Sequence, residues 1–357
     1  MRNIVHIAPT LPPAVNGLGD FCHILADNLE KMGYRHNSFL VRHKPPGVNR
    51  NVIPFEVNDF EQKLLKSGAE IVILHYVNYA YSRIGLPFYI VSALKAFKRK
   101  AGARIVVFFH ELYASSNSML KLPFYTSHLQ KKLVRELCTT SDAVLTSCSI
   151  YVDRLEKLDP ELKLDTVCTG IFSNIPDHLY NSCFQKEKGS LVVFGSLARR
   201  NGVYGSAGFS RMLDQLGISK IYDIGPGSIE LSYHGVEVNV LGRLEREPIA
   251  HYLNKVWYGA LNYVPGLLAK SGIFSAYTAF GVIPVNMREA QGPLNDGLVE
   301  GVNYFSFAGI ENAVQDPWAA RTAVLTWYRQ RSQVVVSEKI EACIAGRVLA
   351  EVKIYQE

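Results

Sequence analysis

Short apolar runs alternate with amphipathic stretches along most of the chain. Near-continuous runs at Ile4–Ala8, Ile71–His75, Ile105–His110 and Ala143–Thr146 predict strands buried on both faces. Between them, apolar residues at helical spacing predict helices over 20–32, 86–100, 125–138 and 149–157. The first has its own punctuation: Asp20 can accept from the free N–H groups of an opening turn, and Gly33 suits the left-handed conformation that ends a helix. The stretch 166–190 is rich in turn formers and breaks the alternation, so it predicts a domain joint. The pattern then resumes with strand 191–194, helix 205–216, strands 219–223 and 237–241, helix 247–255, strand 257–262, helix 272–280 and strand 282–286. Two helices, about 313–330 and 336–354, close the chain. Strand and helix in alternation predict an α/β protein of two doubly wound, Rossmann-like domains, 1–168 and 169–335.

Length agrees with that division, because 357 residues exceed the roughly 250–300 at which one core stops growing. No apolar run approaches the roughly 18–20 residues that span a bilayer, which excludes an integral membrane protein of the helical kind. The opening MRNIVHIAPTLPP has one positive charge and an apolar stretch that stops at Pro9, so it does not read as a secretory signal. Six scattered cysteines with no C-x-x-C pair read as buried small hydrophobes in a reducing compartment, which predicts a cytoplasmic protein. The net charge of +6 falls entirely within 1–168. Between 83 and 135 there are ten basic residues against one acid, Glu111. That imbalance predicts that the first domain meets something anionic.

In open parallel sheets ligands bind beyond the carboxyl ends of the strands. After the first strand comes the turn Pro12–Asp20, in which Gly17 and Gly19 allow close approach of backbone to a ligand, and the following helix start suits an anion. The bland alternative is a tight turn. The spacing is not G-x-G-x-x-G and no acid closes the second strand, SFLVRH, which disfavours a dinucleotide dehydrogenase. His75 and His110 end two strands, and Glu111 beside His110 can orient or charge it. In the second domain, Gly195, Ser196, Arg199 and Arg200 follow a strand, and forked guanidiniums there suit a diphosphate; a solvated basic turn is the alternative. Lys270, Ser271 and Gly272 sit at a strand-to-helix junction that also suits phosphate.

Taken in order, IVHIAPTLPPAVNGLGDFCHILADNLEKMGY, SDAVLTSCSIYVDRLEK, LVVFGSLARRNG, SGIFSAYTAFGVIPV and NDGLVEGVNYF resemble the signature segments of GT-B-fold glycosyltransferases, in particular the retaining family 4. The resemblance implies two Rossmann-like domains facing across a cleft, an acceptor-side first domain, a nucleotide-sugar-binding second domain, and a last helix, about 336–357, that crosses back to the first. It further implies that Gly17 and Gly19 lie against the donor phosphates, that His110 approaches the transferred sugar with Glu111 as a helper, and that Arg199 or Arg200 binds phosphate. No Asp-x-Asp pair is present to hold a divalent ion, so the expected chemistry is metal-independent and needs no cofactor beyond the donor substrate.

The chain departs from that family at one point. From Pro248 through Arg288 there is no Asp or Glu, so the paired glutamates that grip the donor sugar are absent, with Leu268 and Ala276, or Ala269 and Tyr277, in their places. Tyr277 or Ser275 could accept hydrogen bonds there, only weakly compared with a carboxylate, and Lys270-Ser271-Gly272 offers this chain another donor-site solution. The implied function is transfer of a hexose to a hydroxyl of a glycan or lipid-linked acceptor in cell-surface polysaccharide or glycoconjugate synthesis. An inactive pseudo-glycosyltransferase and a nucleotide-sugar epimerase are the alternatives. The basic, amphipathic stretch 86–104 reads either as a sheet-covering helix or as a surface that docks on an anionic membrane at the inner face. No nucleic-acid-binding module is recognisable.

Overall fold

The computed structural model describes residues 2–12, 17–44, 46–47, 51–114, 122–160, 166–290, 292, 294–311 and 315–347. These fall into two compact units, one running to Gly170 and taken up again from Val336, the other spanning Ile171–Val335. Each is a parallel sheet flanked by helices.

The first unit contains β1 (Asn3–Ala8), α1 (Gly17–Lys31), β2 (Arg35–Val41), β3 (Val52–Pro54), α2 (Phe60–Lys66), β4 (Ile71–Tyr76) and α3 (Asn78–Tyr81). It continues with α4 (Phe88–Ala101), β5 (Arg104–Phe109), α5 (Leu122–Thr140), β6 (Ala143–Thr146), α6 (Ser149–Leu158) and β7 (Thr166–Cys168). The seven strands lie in the order β3-β2-β1-β4-β5-β6-β7. The order reverses between β1 and β4, which makes that point the natural ligand crevice of this sheet. The central strands are apolar throughout because helices cover both their faces, and β1, β4 and β5 are buried almost completely. α4 turns Ile90, Val91, Ala93, Leu94, Ala96 and Phe97 onto the sheet and ends at Gly102 in the left-handed conformation.

The second unit contains β8 (Glu187–Phe194), α7 (Leu197–Tyr204), α8 (Phe209–Gln215), β9 (Lys220–Ile224), β10 (Glu237–Gly242), α9 (Arg246–Lys255), β11 (Val256–Leu261), α10 (Gly272–Ala279), β12 (Ile283–Asn286), β13 (Phe305–Ser306) and α11 (Pro317–Arg329). Its strands run β10-β9-β8-β11-β12-β13, reversing between β8 and β11. Leu191, Val193, Met212, Leu213, Ile221, Ile283 and Val285 form the centre of its core.

The last helix, α12 (Gln333–Ala345), belongs from Val336 to the first unit. There Asn28 donates to Ser337 Oγ, Tyr34 to Glu341, and Arg104 to the Cys343 carbonyl. Residues 348–354 of the expected closing helix lie outside the described residues. Other boundaries differ from the sequence reading, three of them at segments that carry candidate residues. α1 begins at Gly17, so Asp20 stands in its first turn instead of capping it, where a carboxylate still complements the helix dipole. β8 starts at Glu187, inside the expected joint. Most consequentially, Leu197–Tyr204 is a helix where a loop was expected.

Candidate active site

In the second unit the carboxyl ends of β8 and β11, on either side of the strand reversal, carry most of the predicted residues. Gly195 follows β8 with φ 135°, and Gly225 follows β9 with φ 155°. The two backbones touch: a Cβ on Gly225 would lie 1.9 Å from the Gly195 carbonyl oxygen. Only glycine permits that crossing. Behind it stands Arg200, fully buried. Its guanidinium pairs with buried Asp223, and it donates to the carbonyls of Gly195, Pro226 and Gly227. Tyr204 donates to the other Asp223 oxygen at 2.7 Å, and burial with that bond holds its hydroxyl well above the ordinary range. Arg200 is therefore not a phosphate ligand. It spends its donors on the turns that shape the site, and all its chemistry faces inward.

Its neighbour Arg199 is exposed and lies over the Tyr263 ring, with 4.8 Å from the guanidinium carbon to the ring centroid. Arg199, Phe194, Asn262, Tyr263, Ser271 and Ile273 line one small recess. Asn262 is held by hydrogen bonds to the Gly202 carbonyl and Ser206 Oγ. The amino end of α10 opens on the same recess. Ser271 is its cap, accepting from Phe274 N at 3.3 Å, and Gly272 lies against the Asn174 side chain. Lys270, half-buried, ends the tight turn Pro265–Lys270 just before that cap. Ser196, exposed, stands just before α7 but its side chain makes no capping hydrogen bond. The start of α10 and one guanidinium thus meet at this strand reversal, beside the start of α7 that follows β8, and amides with a guanidinium are groups that suit a diphosphate.

Tyr277 is the second correction. It is fully buried, accepts from Phe194 N at 3.1 Å and faces the Ala260 and Val192 carbonyls at 3.1 and 3.3 Å. Its hydroxyl rivets α10 to β8 and β11 and has no access to a sugar. Sequence reasoning also missed a cavity of about 530 Å³ beyond β12, lined by Glu289, Leu298, Glu300 and Ser306 among others. Glu289 is exposed there, and Glu300 accepts from Ser306 N. Both carboxylates come just after the acid-free segment 248–288, and a scan continued past Arg288 would have met them.

In the first unit the predicted residues lie at the ends of β4 and β5 and the start of α1. Gly19 is buried, and a Cβ there would come within 2.9 Å of the Thr10 carbonyl, so its role is close packing of α1 on the segment after β1. Gly17 is exposed at the first turn of α1, and Pro13–Asn16 of the same turn lie outside the described residues. His110 is half-buried, and its Nε2 lies 3.2 Å from His75 Nδ1. Glu111 is exposed, with its backbone N–H directed at the Tyr76 carbonyl, so the ring that orients His110 is His75. His75 in turn places Nε2 3.1 Å from His6 Nδ1, and both are completely buried. Burial first, then the neighbouring imidazoles of His6 and His110, hold His75 well below the ordinary histidine range, so it is neutral. His6 escaped notice because it stands inside an apolar strand run.

Five of the ten residues of the basic stretch have polar partners within the fold. Lys95 pairs with Glu136, Lys98 with Asp142, Lys100 with Glu61 and Arg135 with Asp159, while Arg104 serves the last helix. Lys121 lies outside the described residues. Among the described residues no helix is long and apolar enough to cross a membrane, and no cluster of three or more His, Cys, Asp or Glu side chains has the geometry to hold a metal ion.

No family model and no curated protein sequence matches this chain. Solved structures do. HepE of Anabaena, in complex with UDP-glucose, matches over 97% of this chain and 100% of its own, with a TM-score of 0.65 and 11% identity. The chain has the GT-B fold. WaaG, a glycosyltransferase involved in lipopolysaccharide biosynthesis, shares the GT-B architecture over 96% of this chain and 100% of its own, at TM-score 0.60 and 9% identity. So does a putative UDP-N-acetylglucosamine 2-epimerase from Listeria monocytogenes, over 96% of both chains at TM-score 0.59 and 9% identity. The GT-B fold accordingly accommodates more than one nucleotide-sugar chemistry, and the choice rests on the sites.

Proposed function

We propose that this protein is a glycosyltransferase that moves a hexose from a nucleoside diphosphate sugar to a hydroxyl of a glycan or lipid-linked acceptor, in the synthesis of cell-surface polysaccharide or glycoconjugates. The observation that carries this reading is the small recess at the β8–β11 reversal, where Arg199 and the Ser271-capped start of α10 bring positive charge and helix-start amides to one place. The binding of UDP-glucose by HepE, a protein of the same fold, supports it. Arg199, with Lys270 and the helix starts, stabilises the departing diphosphate, so that no divalent ion is required. Glu289, on the larger cavity, takes the role of hydroxyl acceptor that α10 leaves unfilled. His110 meets the transferred sugar, and the anomeric configuration is retained.

Transfer assays with UDP-, GDP- and ADP-sugars and lipid-linked or oligosaccharide acceptors test the reading. Sugar transfer that falls at least about tenfold in Arg199→Ala, as expected for loss of a charge-assisted hydrogen bond, supports it. The Listeria neighbour favours one further reading, a 2-epimerase. Conversion of UDP-N-acetylglucosamine in the absence of any acceptor would establish that chemistry instead. Peripheral docking through 86–104 has to compete with existing pairs, because Lys95, Lys98 and Lys100 already have carboxylate partners. Co-sedimentation with anionic vesicles that vanishes in high salt would support it.

A further inference from the structure

The first unit holds three imidazoles in line: His6 on β1, His75 on β4 and His110 just after β5. The contacts are His6 Nδ1 to His75 Nε2 at 3.1 Å and His75 Nδ1 to His110 Nε2 at 3.2 Å. The planes of His6 and His75 are nearly parallel, at 10°, and those of His75 and His110 are tilted by 31°. Phe39 stacks on His6, Phe108 stacks on His110, and Phe21 from α1 sets its edge to both His75 and His110. His6 and His75 are completely buried in this aromatic jacket and His110 is half-buried at its open end, so the His6–His75 contact is shielded from water and His75 offers His110 a partner held in place. A shared metal ion does not account for the arrangement. His75 turns a different nitrogen to each neighbour, and one ion cannot take a lone pair from all three rings at once.

The chemistry of neutral imidazole makes this line all-or-none. A neutral ring has one N–H and one lone pair. If His75 Nδ1 carries the proton, it donates to His110 Nε2, which leaves His110 protonated on Nδ1, and His75 Nε2 accepts from His6 Nδ1–H. All three rings are then Nδ1–H. If His75 Nε2 carries the proton, it donates to His6 Nδ1 and accepts from His110 Nε2–H through Nδ1, and all three are Nε2–H. No mixed arrangement satisfies both contacts. With Nε2 committed to His75, Nδ1 is the nitrogen through which His110 meets anything else.

We propose that His75, held by His6, is a positioning residue that fixes both the ring orientation and the tautomer of His110, so that His110 presents a single donor or acceptor character to the bound substrate. The role in turnover rests on the glycosyltransferase reading above; the tautomer coupling does not.

The test is the two-bond 1H–15N spectrum of the imidazoles in full-length protein labelled on histidine, assigned by single substitutions, together with transfer kinetics. In the wild type His6, His75 and His110 are expected to show one and the same pure tautomer. His75→Gln, whose amide reaches toward His6, is expected to release His110 to a tautomer-averaged shift, whereas His75→Asn, whose amide stands near the Nδ1 position, keeps His110 in one form. In kinetics, His75→Gln should lower kcat about tenfold, the weight of one well-placed hydrogen bond, while the affinity for UDP stays within about twofold, and His75→Asn should recover most of the loss. Different tautomers among the three wild-type rings, or a His110 signal unmoved in His75→Gln, would overturn the coupling. Coupling confirmed in a protein without transferase activity would leave this inference standing and remove the functional reading instead.

Discussion

The carboxyl ends of the two sheets carry polar groups of opposite character. At the second sheet the site is built from positive charge and helix amides: Arg199 is exposed beside the capped start of α10, and Arg200 is locked onto Asp223 behind it. At the first sheet three imidazoles line up beside aromatic rings, the central one, His75, held neutral by burial. Positive charge suits a group that arrives and leaves as an anion. Neutral, directional donors and acceptors suit hydroxyls, for which a fixed charge offers no discrimination. One fold thus provides electrostatics from one sheet and directional hydrogen bonding from the other.

The sharpest way to break this comparison is to remove the buried arginine. Arg200→Ala leaves the Asp223 carboxylate buried without its countercharge and should cost about 3–5 kcal/mol in urea unfolding, enough to erase much of a typical domain's stability. A cost below about 1 kcal/mol would show that the pair does not hold the site. Gly225→Ala is expected next, at about 1–3 kcal/mol, because its Cβ has to displace the Gly195 carbonyl. Loss of stability in that variant should be accompanied by loss of nucleotide binding, since the same two backbones form the turn.

The first sheet should instead respond to acid. His75 is neutral in the folded protein well below the pH at which an unfolded imidazole titrates. Its contribution is therefore fully present above about pH 6.5 and is lost as the pH falls toward the folded value, because the unfolded chain takes up a proton that the native state refuses. Unfolding free energy measured between pH 7 and 5 should decline by up to about 1.4 kcal/mol per pH unit from this group, and His75→Phe should flatten that part of the slope. The smallest effect is predicted for Lys95→Ala, whose partly exposed pair with Glu136 is worth at most about 1 kcal/mol. A larger loss there would mean that the basic face is structural beyond simple pairing.

Most of the architecture is legible in the sequence because strands covered on both faces must be apolar along their whole length, as Ile71–Leu74 and Ile105–Phe109 are. β3, β7 and β13 have two or three residues each and are too short to show a period. α7 was missed for a different reason. Leu-Ala-Arg-Arg-Asn-Gly reads as a solvated turn until Asp223 and three carbonyls, contributed by other segments, neutralise and bury Arg200. The same blindness affects the candidate site. Arg199 and Arg200 are indistinguishable as letters, and only the helix sets them about a quarter of a turn apart, one outward and one inward. Tyr277 carries a hydroxyl that suggested a ligand contact, but strand-end backbone groups claim it. For the histidines the signal was present, in IVHIA, LHY and FFHE on three strands, and required knowing that β1, β4 and β5 are neighbours.

The central claim is that the recess at the β8–β11 reversal binds a nucleoside diphosphate through Arg199. Isothermal titration of UDP, GDP and ADP into the wild type and Arg199→Ala, with melting temperatures recorded for both, tests it most directly. The account predicts that at least one of the three binds the wild type, that the variant binds it roughly 10–100-fold more weakly, and that the two proteins melt within about 2 °C of each other. Equal affinity in the variant, or no binding of any of the three to a wild type that melts cooperatively, would contradict it.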